Sequence, residues 1–134
     1  MHRLVAWLTI KDVTTGSSGL SPYPEIRPLD LGLPPEDAYD LALETAHRMT
    51  GWRIVEESPD EGWLDAEAKT PLLRFVDDIR VWIEGRSGGG SRVQMRSRSR
   101  IGRGDFGANA RRIQAFLQRV GERVDSGPRF TPPG

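Results

Sequence analysis

The chain has no cysteine, only two histidines and an aromatic content of 7%. Without cysteine there is no disulfide, no thiol nucleophile and no thiolate metal site, and the redox compartment stays open. His2 and His47 lie far apart in sequence, so no imidazole pair seeds a metal centre. Neither a catalytic set nor a cofactor is indicated. Long apolar runs are lacking too. Leu4–Ile10, LVAWLTI, falls well short of the ~20 residues that span a bilayer, and no small-residue cleavage site follows it. It reads as a short first strand or a frayed arm, which makes a cytoplasmic protein the default expectation.

What is present is ordinary in amount and uneven in placement. At 134 residues, 37% hydrophobic and 28% charged, the chain suits one soluble globular domain with a single core. The net charge is zero, yet Glu36–Glu67 is acidic while Arg92–Arg112 carries seven arginines against the single Asp105. Opposite charges on neighbouring elements make surface pairs worth about 0–1 kcal/mol each. The sharper alternative is a basic surface that receives an anionic partner. The acidic first half argues against nucleic acid as that partner.

In chain order, residues 1–22 form an arm ending in the flexible joint GSSGLSP, residues 23–122 a domain, and residues 123–134 a tail containing RFTPPG. Ile26–Leu31 reads as a short strand held to an edge or sheet end by Pro28. Pro34 and Pro35 then open a helix over Glu36–Thr50, with Ala38, Leu41, Ala42, Thr45, Ala46 and Met49 in register, closed by Gly51. His47 lies off that stripe, as a solvated surface residue. Strand patterns follow at Trp52–Glu57, Trp63–Thr70, Leu73–Glu84 and Ser91–Ile101, with short turns that favour an antiparallel meander. A last helix carries Phe106, Ala110, Ile113, Leu117 and Val120 at helical spacing. The expected fold is α+β: a two-layer sandwich of an antiparallel sheet of four to five strands with two helices on one face. Helix-grip folds have a similar arrangement.

The stretch Arg92–Leu117 organises the rest. Val93, Met95, Ser97, Ser99 and Ile101 take one strand face, and Arg92, Gln94, Arg96, Arg98 and Arg100 take the other. Gly102 and Gly104 break the strand, and Asp105 stands where a helix N-cap belongs. Thr70–Glu84 and Arg96–Ile113 resemble bacterial members of domain of unknown function family 1499. The family's F-x-D-D strand corresponds to Phe75, Asp77 and Asp78. Its R-S-x-S-R corresponds to Arg96, Ser97, Ser99 and Arg100, and its glycine turn and D-x-G-x-N to Gly102, Asp105, Gly107 and Asn109. The resemblance covers roughly Tyr23–Val120 and brings no activity with it. Members often carry hydrophobic membrane segments ahead of the domain. This sequence shows none, so membrane proximity rests on the resemblance alone.

Gly102–Gly107, GRGDFG, formally matches G-x-G-x-x-G. A dinucleotide fingerprint needs a further parallel strand ending in an acidic residue, and here the chain runs out after the helix. A tight turn and helix cap is the simpler reading. A narrower anion site stays open there, with N–H groups of Phe106 and Gly107 beside Arg100, Arg103 and Asn109, the helix end contributing about 0.3–1 kcal/mol.

Asp77 falls in phase with the core face, where a carboxylate needs a partner. Asp77, Arg100, Asp105, Asn109 and Arg112 are therefore expected to form a network locking the last helix to the sheet. Asp77 and Asp78 point to opposite faces and do not share an acid–base site. Away from the helices, Arg80, Trp82, Arg96 and Arg98 share a phase with Trp63, residue types enriched at binding hot spots. The bland counterpart is cross-strand pairing of these arginines with Asp78 and Glu84, and the tryptophans make a face-to-face homodimer reasonable. The reading is a non-enzymatic binding or interaction module with a cationic-aromatic face, its partner a protein or anionic ligand. The alternative is an anion-binding protein or small enzyme built on residues 100–112.

Overall fold

The computed structural model describes residues 12–14, 27–69, 75–99 and 106–126. In chain order the elements are β1 (Asp12–Thr14), β2 (Leu29–Leu31), α1 (Pro35–Arg48), β3 (Trp52–Ser58), β4 (Trp63–Lys69), β5 (Val76–Gly85), β6 (Ser91–Ser99) and α2 (Phe106–Ser126). The strands form one antiparallel sheet in the order β1-β6-β5-β4-β3, with β2 also pairing with β6. β1 lies against Arg96–Arg98 and β2 against Ser91–Val93, so two short strands share one edge of β6 in tandem. This is the expected α+β sandwich with one further short strand, β1, drawn from the segment read as an arm.

Period-two alternation decides what the sheet buries. Leu64, Ala66 and Ala68 of β4, Ile79 and Val81 of β5, and Val93 and Met95 of β6 all face the helices and are buried. Against them α1 sets Ala38, Leu41, Ala42 and Ala46, and α2 sets Ala110, Ile113, Phe116, Leu117 and Val120. The small residues of α1 let it lie close to the sheet. Phe116 fills the space between the layers and stacks on Trp52 of β3, ring centroids 5.2 Å apart.

Caps and turns follow the local sequence. α1 opens with proline in its first turn, then Glu36 and Asp37 at its positive end. Tyr39 is buried at its start, where its hydroxyl donates to the Trp63 carbonyl at 3.0 Å and accepts from the Ser58 N–H at 3.2 Å. This ties α1 to the β3–β4 hairpin. Burial pushes the Tyr39 phenol above its ordinary range. The β5–β6 turn needs glycine at Gly88 and Gly89, both at positive φ. Gly90 meets a different demand, since a Cβ there would stand 2.8 Å from the Leu31 carbonyl oxygen of β2.

α2 continues past residue 122, where the sequence reading began a tail. Val124 extends its apolar stripe onto the core, and Arg123 pairs with Glu44 of α1 at 2.6 Å. Leu4–Ile10, the turn from Arg100 to Asp105, and Arg129–Gly134 lie outside the described residues. Among the described residues no helix is long and apolar enough to cross a membrane.

Candidate functional site

The sheet face opposite the helices carries the polar half of every alternating strand. Pairing register lines these residues into rows across the sheet. One row runs Arg53, Glu67, Asp78, Arg98, and the next Glu56, Asp65, Arg80, Arg96. The third runs Ser58, Trp63, Trp82, Gln94, and the last Glu84, Arg92, Asp30. Arg80, Trp82, Arg96 and Arg98 therefore share this face with Trp63.

Carboxylates answer the cations. Asp65 grips Arg80 with both oxygens, at 2.7 and 2.8 Å. Glu67 takes Arg53 at 2.7 Å, and Asp30 takes Arg92 at 2.8 Å and Arg86 at 2.9 Å. Glu84 accepts from the Trp82 indole at 3.3 Å and from Gln94 at 3.1 Å. The face is thus mixed in charge, with arginines at 53, 80, 92, 96 and 98 against carboxylates at 30, 56, 65, 67, 78 and 84. The cationic surface expected from β6 alone is corrected by its neighbours, because register brings the acidic β4 into phase with Arg80. Arg80 finds its partner in Asp65, while Asp78 and Glu84, the cross-strand counterparts expected for the arginines of this face, stand opposite Arg98 and Arg92.

Arg80 faces Arg96 directly across the β5–β6 ladder, an unfavourable juxtaposition that Asp65, on the far side of β5, offsets. Its guanidinium is held 4.3 Å over the Trp63 ring, within cation–π range. The Asp65 hydrogen bonds hold Arg80 charged beyond its already high range, and the hydrogen bond from Arg92 holds Asp30 below the usual carboxylate range. Between these side chains lies a concavity of about 440 Å³, bordered by Asp65, Glu67, Arg80, Arg96 and Arg98, with the half-exposed Val55 at its rim. Val55 reaches it through the register irregularity between Ile54 and Glu56, a bulge that also disrupts pairing along the β3 edge.

The inner face holds a second polar cluster. Asp77, Ser97, Ser99 and Asn109 are all buried. The Ser97 hydroxyl donates to Asn109 Oδ1 at 2.6 Å, and Asn109 Nδ2 donates to the Ser99 hydroxyl at 2.9 Å. Arg112 reaches in from α2, donating to Ser97 Oγ at 3.1 Å and Asn109 Oδ1 at 2.9 Å, and meeting Asp77 at 2.8 Å. Of the expected network, Asp77, Asn109 and Arg112 come together, while Arg100 and Asp105 lie outside the described residues. Ser97 and Ser99 join it unforeseen, although their phase in β6 had placed them inward.

Of the alternative anion site, Phe106 and Gly107 open α2 and Arg103 lies with Arg100 outside the described residues. Asn109, its remaining member, has both amide atoms engaged in the inner cluster. Elsewhere His47 is exposed, 4.0 Å from Glu57.

Residues 8–120 match the model of a family described as "Protein of unknown function (DUF1499)". Solved structures share the fold, among them the following. The Deinococcus radiodurans protein DR_A0006 aligns with a TM-score of 0.52 at 14% identity, covering 87% of this chain and 98% of its own. Ara h 8.0201 aligns with a TM-score of 0.52 at 10% identity, covering 88% and 99%. At such identities the likeness concerns the fold alone. No curated protein matches in sequence.

Proposed function

The chain belongs to this family of proteins of unknown function, and from its own surface we propose a protein-interaction module that docks a folded partner on the outer sheet face. The observation that carries this reading is the Trp63–Trp82 pair at the centre of that face, with Arg80 stacked on one ring and pinned by Asp65. An aromatic and arginine centre within a polar surround is the anatomy of a protein hot spot. The arginine is already oriented, so docking orders little that is not ordered beforehand.

Charge selects among partners. Arginines and carboxylates share the face in similar number, so a polyanion meets as much repulsion as attraction. A protein surface with complementary charges of both signs gains from each. Proton transfer is poorly served, because Arg80 is held further from neutrality and Asp65 is committed as its counterion.

The test places a photo-crosslinking residue at position 55, on the rim, in the expressing cell. A discrete crosslinked species that Trp82→Ala and Arg96→Glu abolish, with folding unchanged, supports the reading. A crosslinking pattern indifferent to both variants sinks it. A species at twice the chain mass identifies the partner as a second copy.

A further inference from the structure

On the opposite side of the molecule α1 and α2 leave a cleft of about 250 Å³ lined by Thr45, Arg48, Arg119, Glu122 and Arg123. We infer that this cleft binds a small oxyanion, a phosphate or carboxylate group, between the three guanidinium groups. Arg119 and Arg123 stand one helical turn apart on α2 and therefore on one face of it. Glu44 holds Arg123 at 2.6 Å and Arg48 at 3.6 Å, so one carboxylate orients two of the cations and neutralises only one. Glu122 accepts from Gln118 at 3.1 Å. With Arg48, Arg119 and Arg123 against Glu44 and Glu122, the cleft keeps one positive charge in excess, which a single oxyanion balances.

The second observation is a stranded donor. Arg123 is 18% exposed in its side chain, and its Nε is buried with no hydrogen-bond partner among the described residues. Buried polar groups are nearly always satisfied, and one that is not asks for a ligand or ordered water. The guanidinium fork matches oxyanion geometry, with two parallel N–H donors. The Thr45 hydroxyl at the floor is spent on the Leu41 carbonyl at 2.7 Å, which leaves recognition to the arginines. The cleft is large enough for a phosphate together with part of the group that carries it.

The experiment follows the Arg123 Nε–H signal by NMR on the full chain, assigned with Arg123→Lys, during titration with sodium phosphate against sodium chloride at matched ionic strength. Expected is a saturable shift of the Arg123 and Arg119 signals, with the Trp82 indole signal unmoved and the affinity at least roughly tenfold weaker in the exposed-site variant Arg119→Gln. A second arm uses vesicles containing phosphatidic acid. Saturation with vesicles but not with free phosphate assigns the site to a lipid headgroup and still supports it. A shift equal to the chloride control in both arms, or one unaffected by Arg119→Gln, overturns the proposal and leaves water as the partner of Nε.

Discussion

Asn109→Ala is the most informative single change, because it removes a side chain that bonds both Ser97 and Ser99. Its hydrogen bonds to Ser97, Ser99 and Arg112 disappear with it. Each is worth about 1 kcal/mol net, and stranding the buried serine hydroxyls adds desolvation of about 1 kcal/mol or more. Alanine recovers roughly 0.6 kcal/mol through its higher helix propensity. The expected loss is about 3 kcal/mol, which at a urea slope of about 1.5 kcal/mol/M lowers the midpoint by roughly 2 M. Urea unfolding followed by tryptophan fluorescence reads this directly. Ser97→Ala combined with Asn109→Ala is expected to cost less than the two single changes together, since they share a bond. A loss below about 1 kcal/mol with an unchanged slope refutes the idea that this cluster fastens α2 to the sheet. A fully stable variant that has lost a bound anion would instead move the site to the start of α2.

Three further outcomes are expected. Gly90→Ala drives a Cβ against the Leu31 carbonyl, so the unfolding free energy falls by about 1–3 kcal/mol and the Leu29–Leu31 amides exchange faster; an unchanged midpoint refutes the close approach. Tyr39→Phe removes the hydroxyl bridging Trp63 and Ser58 and costs about 1–2 kcal/mol. Because burial raises the folded phenol above its ordinary value of 10.0, its contribution is full below pH 10 and lost as pH rises through the folded value, so the variant flattens the alkaline limb of the stability curve. Asp30 is shifted the other way from its ordinary value of 3.8 by Arg92. Its contribution is present above that value and lost as pH falls through the folded one, and Asp30→Asn flattens the acid limb; an unaltered limb denies the Arg92 pairing any role.

The elements were legible because their periods are clean. β6 alternates without a break, and α1 repeats alanine and leucine at helical spacing, so both strand phase and helix face could be read directly. The buried cluster was half legible. Asp77 in phase with apolar neighbours signalled a buried carboxylate, and Asn109 and Arg112 lay on the helix expected to cover that face. Ser97 and Ser99 carried the same signal, since polar residues in an inward phase need partners. The charge of the outer face was not legible, because it depends on which residues of β4 stand beside Arg80. That depends on the β4–β5 register, which sets Asp65 opposite Arg80, and an offset of two residues would have set Arg80 beside another residue on the same face of β4. Tyr39 was missed because its partners are the backbone carbonyl of Trp63 and the backbone N–H of Ser58, which no side-chain pattern marks.

One strand links the two clusters. Inward, Ser97 and Ser99 are held by the two ends of the Asn109 amide; outward, Arg98 projects from the residue between them. Fastening both neighbours of Arg98 to α2 fixes the height and tilt of β6 there, and with it the placement of Arg96 and Arg98 at the edge of the outer concavity. On the proposed docking role, a partner matched to this fixed pattern of acidic β4 and basic β6 side chains tolerates little sliding. If the outer face docks a partner as proposed, the buried cluster serves it as support. An apolar core at Ser97, Ser99 and Asn109 could keep the helix attached as firmly, but hydrophobic contacts are non-directional and would let the strand settle where packing is best.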